Sequence, residues 1–137
     1  RVWAAKGPDD ANLDRIQIIK GWVDTDGEPQ DRVFDVVWSG ARAPGADGKL
    51  PAVGNTVDLT QATYTNTIGS AELIGNWTDP QFDPQQGAVY YVRVLQIPTP
   101  RWSTYDAVRA GLPLQEGVAA TVQERAWTSP IWYTPQG

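Results

Sequence analysis

Three stretches of the chain read as strands with a side-chain period of two, two of them alternating and the third apolar on both faces. The first runs from Arg15 to Asp24 and the second from Asp31 to Trp38. The turn signal Asp24-Thr25-Asp26-Gly27 separates them, so together they read as an antiparallel hairpin with a longish loop. In the second strand the period places Phe34, Val36 and Trp38 on one face, and Val33, Asp35 and Val37 on the other. The third, Val89 to Ile97, is apolar on both faces: Tyr90, Val92 and Val94 on one, Val89, Tyr91, Leu95 and Ile97 on the other. A strand of that kind is expected to be covered on both sides, at the centre of a domain or wedged between domains.

Weaker signals fill the remainder. Arg1 to Ala5 is strand-like from the outset. Ser39 to Asn55, rich in Gly, Pro and Ala, predicts an exposed irregular loop ordered by its ends only. Thr56 to Ile68 predicts two short strands, and Ala71 to Trp77 a short strand or part of a loop. Ser103-Thr104-Tyr105-Asp106 has the spacing of a capping box, with Asp in place of the usual Glu or Gln. It predicts one short helix, which Gly111 can end. Val122 to Tyr133 reads as one or two closing strands. The expected fold is all-β, an antiparallel β-sandwich with one short helix, and residues 1–137 form a single domain. Thirteen glycines, eleven prolines and seven tryptophans agree with a short-stranded, turn-rich fold.

Charge and composition narrow the function. A net charge of −5 argues against nucleic acid, which needs a basic stripe, and against an anionic membrane surface. No apolar run approaches the ~20 residues needed to cross a bilayer, and no signal-peptide core is present. The chain has neither His nor Cys. Zinc sites and Ser–His nucleophilic triads therefore lack their usual groups. Oxygen-only sites need no such groups, and Asp9, Asp10, Asn12 and Asp14, or Asp24 and Asp26, could contribute to one. Neither set has the full calcium-loop spacing, and solvated loop carboxylates are the ordinary reading. Glu28, Glu72, Glu116 and Glu124 offer no recognisable acid–base pair. No catalytic residue, metal ligand or cofactor is expected in this chain.

Two arginines stand out. Arg93 shares an apolar strand face and so needs a carboxylate, carbonyls or an aromatic plane. A structural ion pair with Glu124 is the favoured arrangement, with Asp35 as another partner and an anion-facing role as the functional alternative. Arg101-Trp102 follows Pro98-Thr99-Pro100, a stiffened bend. It suits a ligand anchor or, preferably, an interdomain anchor. The tryptophans also invite a carbohydrate-binding reading. Trp22, Trp38 and Trp132 lie in strand patterns and read as core or interface; Trp3, Trp77, Trp102 and Trp127 are the candidates for exposure.

Four segments in order, Asp10–Trp22, Tyr90–Leu95, Pro98–Trp102 and Glu124–Tyr133, resemble the C-terminal region of a bacterial family known only as domain of unknown function 3604. The resemblance spans Val2 to Pro135. That family looks related to the PHP-type metal-dependent phosphoesterases, whose metal motifs belong to an N-terminal domain and have no counterpart here. The resemblance implies a non-catalytic companion domain, a fragment of a longer chain that packs on or lines the site of an N-terminal domain of the same protein. It implies a parent hydrolase that binds a divalent metal, and a periplasmic or extracellular location. The alternative is an independent carbohydrate-binding module.

Overall fold

The computed structural model describes residues 1–136. Its strands are β1 (Val2–Ala5), β2 (Leu13–Val23), β3 (Pro29–Trp38), β4 (Glu72–Gly75), β5 (Ala88–Gln96), β6 (Thr99–Pro100), β7 (Thr121–Val122), β8 (Arg125–Trp127) and β9 (Ile131–Tyr133). One helix, α1 (Trp102–Ala110), follows β6. The fold is all-β, as the periodicity predicts. The main sheet runs β3-β2-β5-β8 with every pair antiparallel, and β9 extends it beside β5. β1 and β4 form a two-stranded layer, and β6 pairs with β7.

The sandwich is lopsided. Ile16, Val37, Val92 and Val94 of the main sheet pack with Leu13 against Val2, Ala4 and Leu73 of the small layer. Strand alternation sends Ile18, Lys20, Trp22, Phe34 and Tyr90 to this same inner side. Phe34, Trp77 and Tyr90 stack there in sequence, at centroid distances of 5.0 and 6.5 Å.

A bulge re-phases β3. Gln17 pairs with Asp35 whereas Ile16 pairs with Val37, so Val36 is the extra residue. The expected face of Phe34, Val36 and Trp38 is therefore split. Phe34 and Val37 face inward, and Trp38 joins Asp35 and Val33 on the outer side.

The connections correct four further expectations. Thr56 to Ile68 holds a single bridge, Asp58 to Thr63, rather than two strands. The Asp58 carboxylate accepts bonds from the Thr60 amide and hydroxyl and the Gln61 amide, a local turn that competes with pairing. Ser39 to Asn55 is irregular, but its order comes from within as well as from its ends. Arg42 reaches Asp14 and the Pro51 carbonyl, and Leu50 is buried. The capping box is not formed. The Arg101 amide donates to the Ala120 carbonyl, which holds Arg101 extended, so Arg101 becomes the N-cap and Ser103 lies inside the helix. The closing segment breaks into three short strands, with Pro130 between the last two. The expectation that Gly111 ends the helix is met: it is left-handed, and its amide returns to the last turn.

Gly69, in the connection between β3 and β4, packs closely against Asn12 and Ile97. Its φ is +77°, and an added Cβ would lie 2.6 Å from Ile97 and 2.7 Å from Asn12. Gly69→Ala is expected to destabilise the chain by at least ~1 kcal/mol through left-handed strain and overpacking together. A denaturant midpoint unchanged from wild type would contradict this.

Candidate functional site

The main sheet has an outer face on which no strand or helix of the described residues is layered. Arg15, Gln17, Ile19 and Gly21 of β2 lie on it, beside Asp35 and Val33 of β3 and Leu95, Arg93, Tyr91 and Val89 of β5. Trp127 stands opposite Arg93, Arg125 opposite Leu95, and Trp132 opposite Val89. Trp127 is 58% exposed and Trp132 is 73% exposed. The reading of Trp132 as core is thus corrected: β9 is a three-residue edge strand with nothing layered over its outer side. The β5 strand is covered by a second layer on one side only.

A polar ladder crosses this face. Arg93 Nε donates to Gln17 Oε1 at 2.8 Å, Gln17 Nε2 to Asp35 Oδ1 at 2.7 Å, and Arg15 Nη1 to Asp35 Oδ2 at 3.1 Å. Arg15 Nε then reaches Asp14 Oδ2, and Arg42 Nη2 reaches Asp14 Oδ1 at 2.7 Å. Gln123 Nε2 donates to Asp14 as well. Asp14 is 0% exposed. It is thus a buried charge answered by two guanidinia and an amide, as a buried carboxylate requires.

The expected Arg93–Glu124 ion pair is absent among the described residues. Glu124 is exposed just before β8 and contributes its backbone carbonyl to the Gln96 amide. Asp35, the other named partner, is reached only through Gln17. Arg93 is half-buried, and its terminal nitrogens have no protein partner among the described residues. Arg101 and Trp102 sit at a different place, where the β6–β7 pair meets α1. Trp102 is 69% exposed. Arg101 is half-buried with an unpartnered Nε and no carboxylate in reach. The molecule therefore keeps Arg93 and Arg101 in separate surroundings rather than in one site.

Of the groups considered for an oxygen site, Asn12, Asp14 and Asp24 have protein partners. Asn12 is tied to Asn66 and the Ile68 carbonyl, and Asp14 to its guanidinia. Asp24 accepts from the amides of Asp26 and Glu28 and from Gln30. The Glu28 amide bond leads in holding the Asp24 carboxyl below the usual range, against the opposing effect of desolvation.

On the inner side lies a cluster that pattern reading missed. Lys20, 3% exposed, bonds Asp79 Oδ2 and the Gln81 carbonyl, each at 2.7 Å. Tyr90 donates its hydroxyl to the same Asp79 oxygen at 2.7 Å. Burial pushes the Asp79 carboxyl up, but Lys20, the Gln81 amide and Tyr90 outweigh it and hold it below the usual range. Burial, then Asp79, raises the Tyr90 phenol above its usual range. Next to this cluster is a cavity of about 400 Å³, lined chiefly by Val2, Ile18, Trp77, Phe82, Val92 and Ile131. The lysine was detectable in principle, because period two puts Lys20 on one face with Ile16, Ile18 and Trp22.

A family model described as "Protein of unknown function (DUF3604)" matches residues 1–135. The chain belongs to the DUF3604 family. This agrees with the resemblance carried by its four separated segments. No curated protein and no solved structure matches the chain.

Proposed function

We propose that this DUF3604 domain is the non-catalytic C-terminal β domain of a PHP-type metal-dependent hydrolase. It docks on, or lines, the site of an N-terminal domain that holds the divalent metal. Export to the periplasm or exterior belongs to the same reading. The observation that carries it is the Arg101–Trp102 corner. A large indole is exposed at the start of a helix whose backbone is fixed by the β6–β7 pair. The neighbouring guanidinium has a buried nitrogen without a partner. A rigid aromatic and an under-bonded arginine are the residue types that anchor interfaces. Leu112 and Leu114, just beyond the helix, are also exposed.

Arg101→Ala and Trp102→Ala are expected to leave the melting temperature of the isolated chain within about 3 °C of wild type, since surface changes usually stay within ±0.5 kcal/mol. In the longer polypeptide each should weaken docking of the two domains about 30-fold, the loss of a hot-spot residue at ~2 kcal/mol. Metal-dependent hydrolysis should fall with it. Full docking and activity in the double variant would overturn the reading.

A further inference from the structure

We propose that the exposed β5–β8–β9 side of the outer face, where Trp127 and Trp132 stand, binds an acidic polysaccharide, one whose pyranose rings carry carboxylates. This surface is distinct from the Arg101–Trp102 corner, and the inference does not depend on the companion-domain reading.

Two exposed indoles stand on one side of β5. Trp132 is opposite Val89 and Trp127 opposite Arg93, four residues further along. At the rise of a strand they are ~13 Å apart, a span suited to a short stretch of linked sugar rings. Between these two positions on the same face of β5 is Tyr91, and beside Val89 is Gly21, which has no side chain to block a ring. Trp132, Val89, Gly21, Val23 and Pro29 line one shallow groove. Aromatic planes of this kind accept the apolar faces of sugar rings.

Charge selects among sugars. Arg93 lies directly across from Trp127, and Arg125 is on the same face two residues earlier. Neither has a carboxylate partner among the described residues. Gln17 holds Arg93 through Nε, which orients the guanidinium and leaves its terminal nitrogens for another acceptor. Paired N–H groups fit a carboxylate in two parallel bonds. These two cations flank an exposed ring in a chain of net charge −5, which would otherwise repel a polyanion.

The middle of the face also favours a sugar over a protein. Its central ladder of Gln17, Asp35 and Arg15 is polar and already bonded within the sheet. A protein interface desolvates its core, which is depleted in charge. A hydroxyl-rich chain bound with water leaves such a ladder undisturbed.

The test uses the chain itself, with indole fluorescence and retardation in gels containing polygalacturonate, alginate or hyaluronate, and with cellohexaose and dextran sulfate as comparisons. At least one uronate polymer is expected to bind more tightly than cellohexaose. Trp127→Ala and Arg93→Gln should each weaken it about tenfold, and Arg125→Gln should weaken it by a smaller factor. Melting curves should stay at wild type, and Trp3→Ala, on the far layer, should bind normally. Failure to bind any of the three polymers overturns the proposal. So does equal affinity for cellohexaose, or binding of dextran sulfate and uronate alike that is indifferent to Trp127→Ala. Concentration-dependent dimerisation abolished by Trp127→Ala, without polymer binding, would assign the face to a second copy instead and would equally overturn it.

Discussion

Asp14→Ala is expected to lower the melting temperature by about 10–20 °C. The carboxylate is fully buried and answers Arg15, Arg42 and Gln123. Its removal leaves two guanidinia, each mostly buried, with less than their share of negative charge. Arg15 keeps Asp35, but Arg42 keeps only carbonyl and hydroxyl partners. Breaking a buried ion pair from one side costs ~3–5 kcal/mol, and a domain of this size shifts by a few degrees per kcal/mol. Arg42→Ala should follow in the same direction and should also free the 39–55 loop to rapid amide exchange. A melting temperature within about 3 °C of wild type for Asp14→Ala would show that the network carries little stability.

Lys20→Met is expected to destabilise the chain by a similar ~3–5 kcal/mol, because it strands the Asp79 carboxylate in a buried setting. Lys20→Met combined with Asp79→Leu should recover most of the loss, since an apolar pair of matching volume is nearly neutral in such a place. The pair also sets an acid limb. Asp79 titrates lower in the folded chain than its ordinary value of 3.8. Its contribution is therefore complete above about that pH and is lost as the pH falls through the lower folded value. Urea midpoints measured from pH 6 down to pH 2.5 should fall less steeply in the double variant than in wild type. Parallel curves would remove Asp79 from the acid response.

The strands and their order of importance were legible because burial acts on every second residue. β2, β3 and β5 appear at the expected places within two residues at each end. What alternation cannot see is a single extra residue. The bulge at Val36 reverses the side taken by Trp38, and no local signal in Asp31–Trp38 announces it. Ion pairs were harder still. The need of Arg93 for a partner was readable, but the partner is the neutral Gln17 on the adjacent strand, chosen by register between residues 76 positions apart. Lys20 obeys the same logic as Arg93 and carried the same signal. Asp14 is hidden for a different reason: it lies among loop-like acids in the sequence, and only the arrival of Arg42 from the long loop makes it central. The Arg101–Trp102 corner was marked by its prolines, although the helix begins two residues earlier than the capping pattern implies.

The register that joins Gln17 to Arg93 also dictates how the chain must fold. The β2–β3 hairpin can zip from a local turn, but its other neighbour, β5, arrives only after an excursion with little regular structure of its own. Such a closure costs chain entropy before any pairing repays it, and topologies dominated by distant contacts fold in milliseconds to seconds rather than microseconds. Throughout that wait the hairpin offers the unpaired edge of β2 to any other chain. Slow maturation and loss to aggregates at high synthesis rates are thus built into the strand order itself, and cooler, slower production is the condition that favours the native pairing.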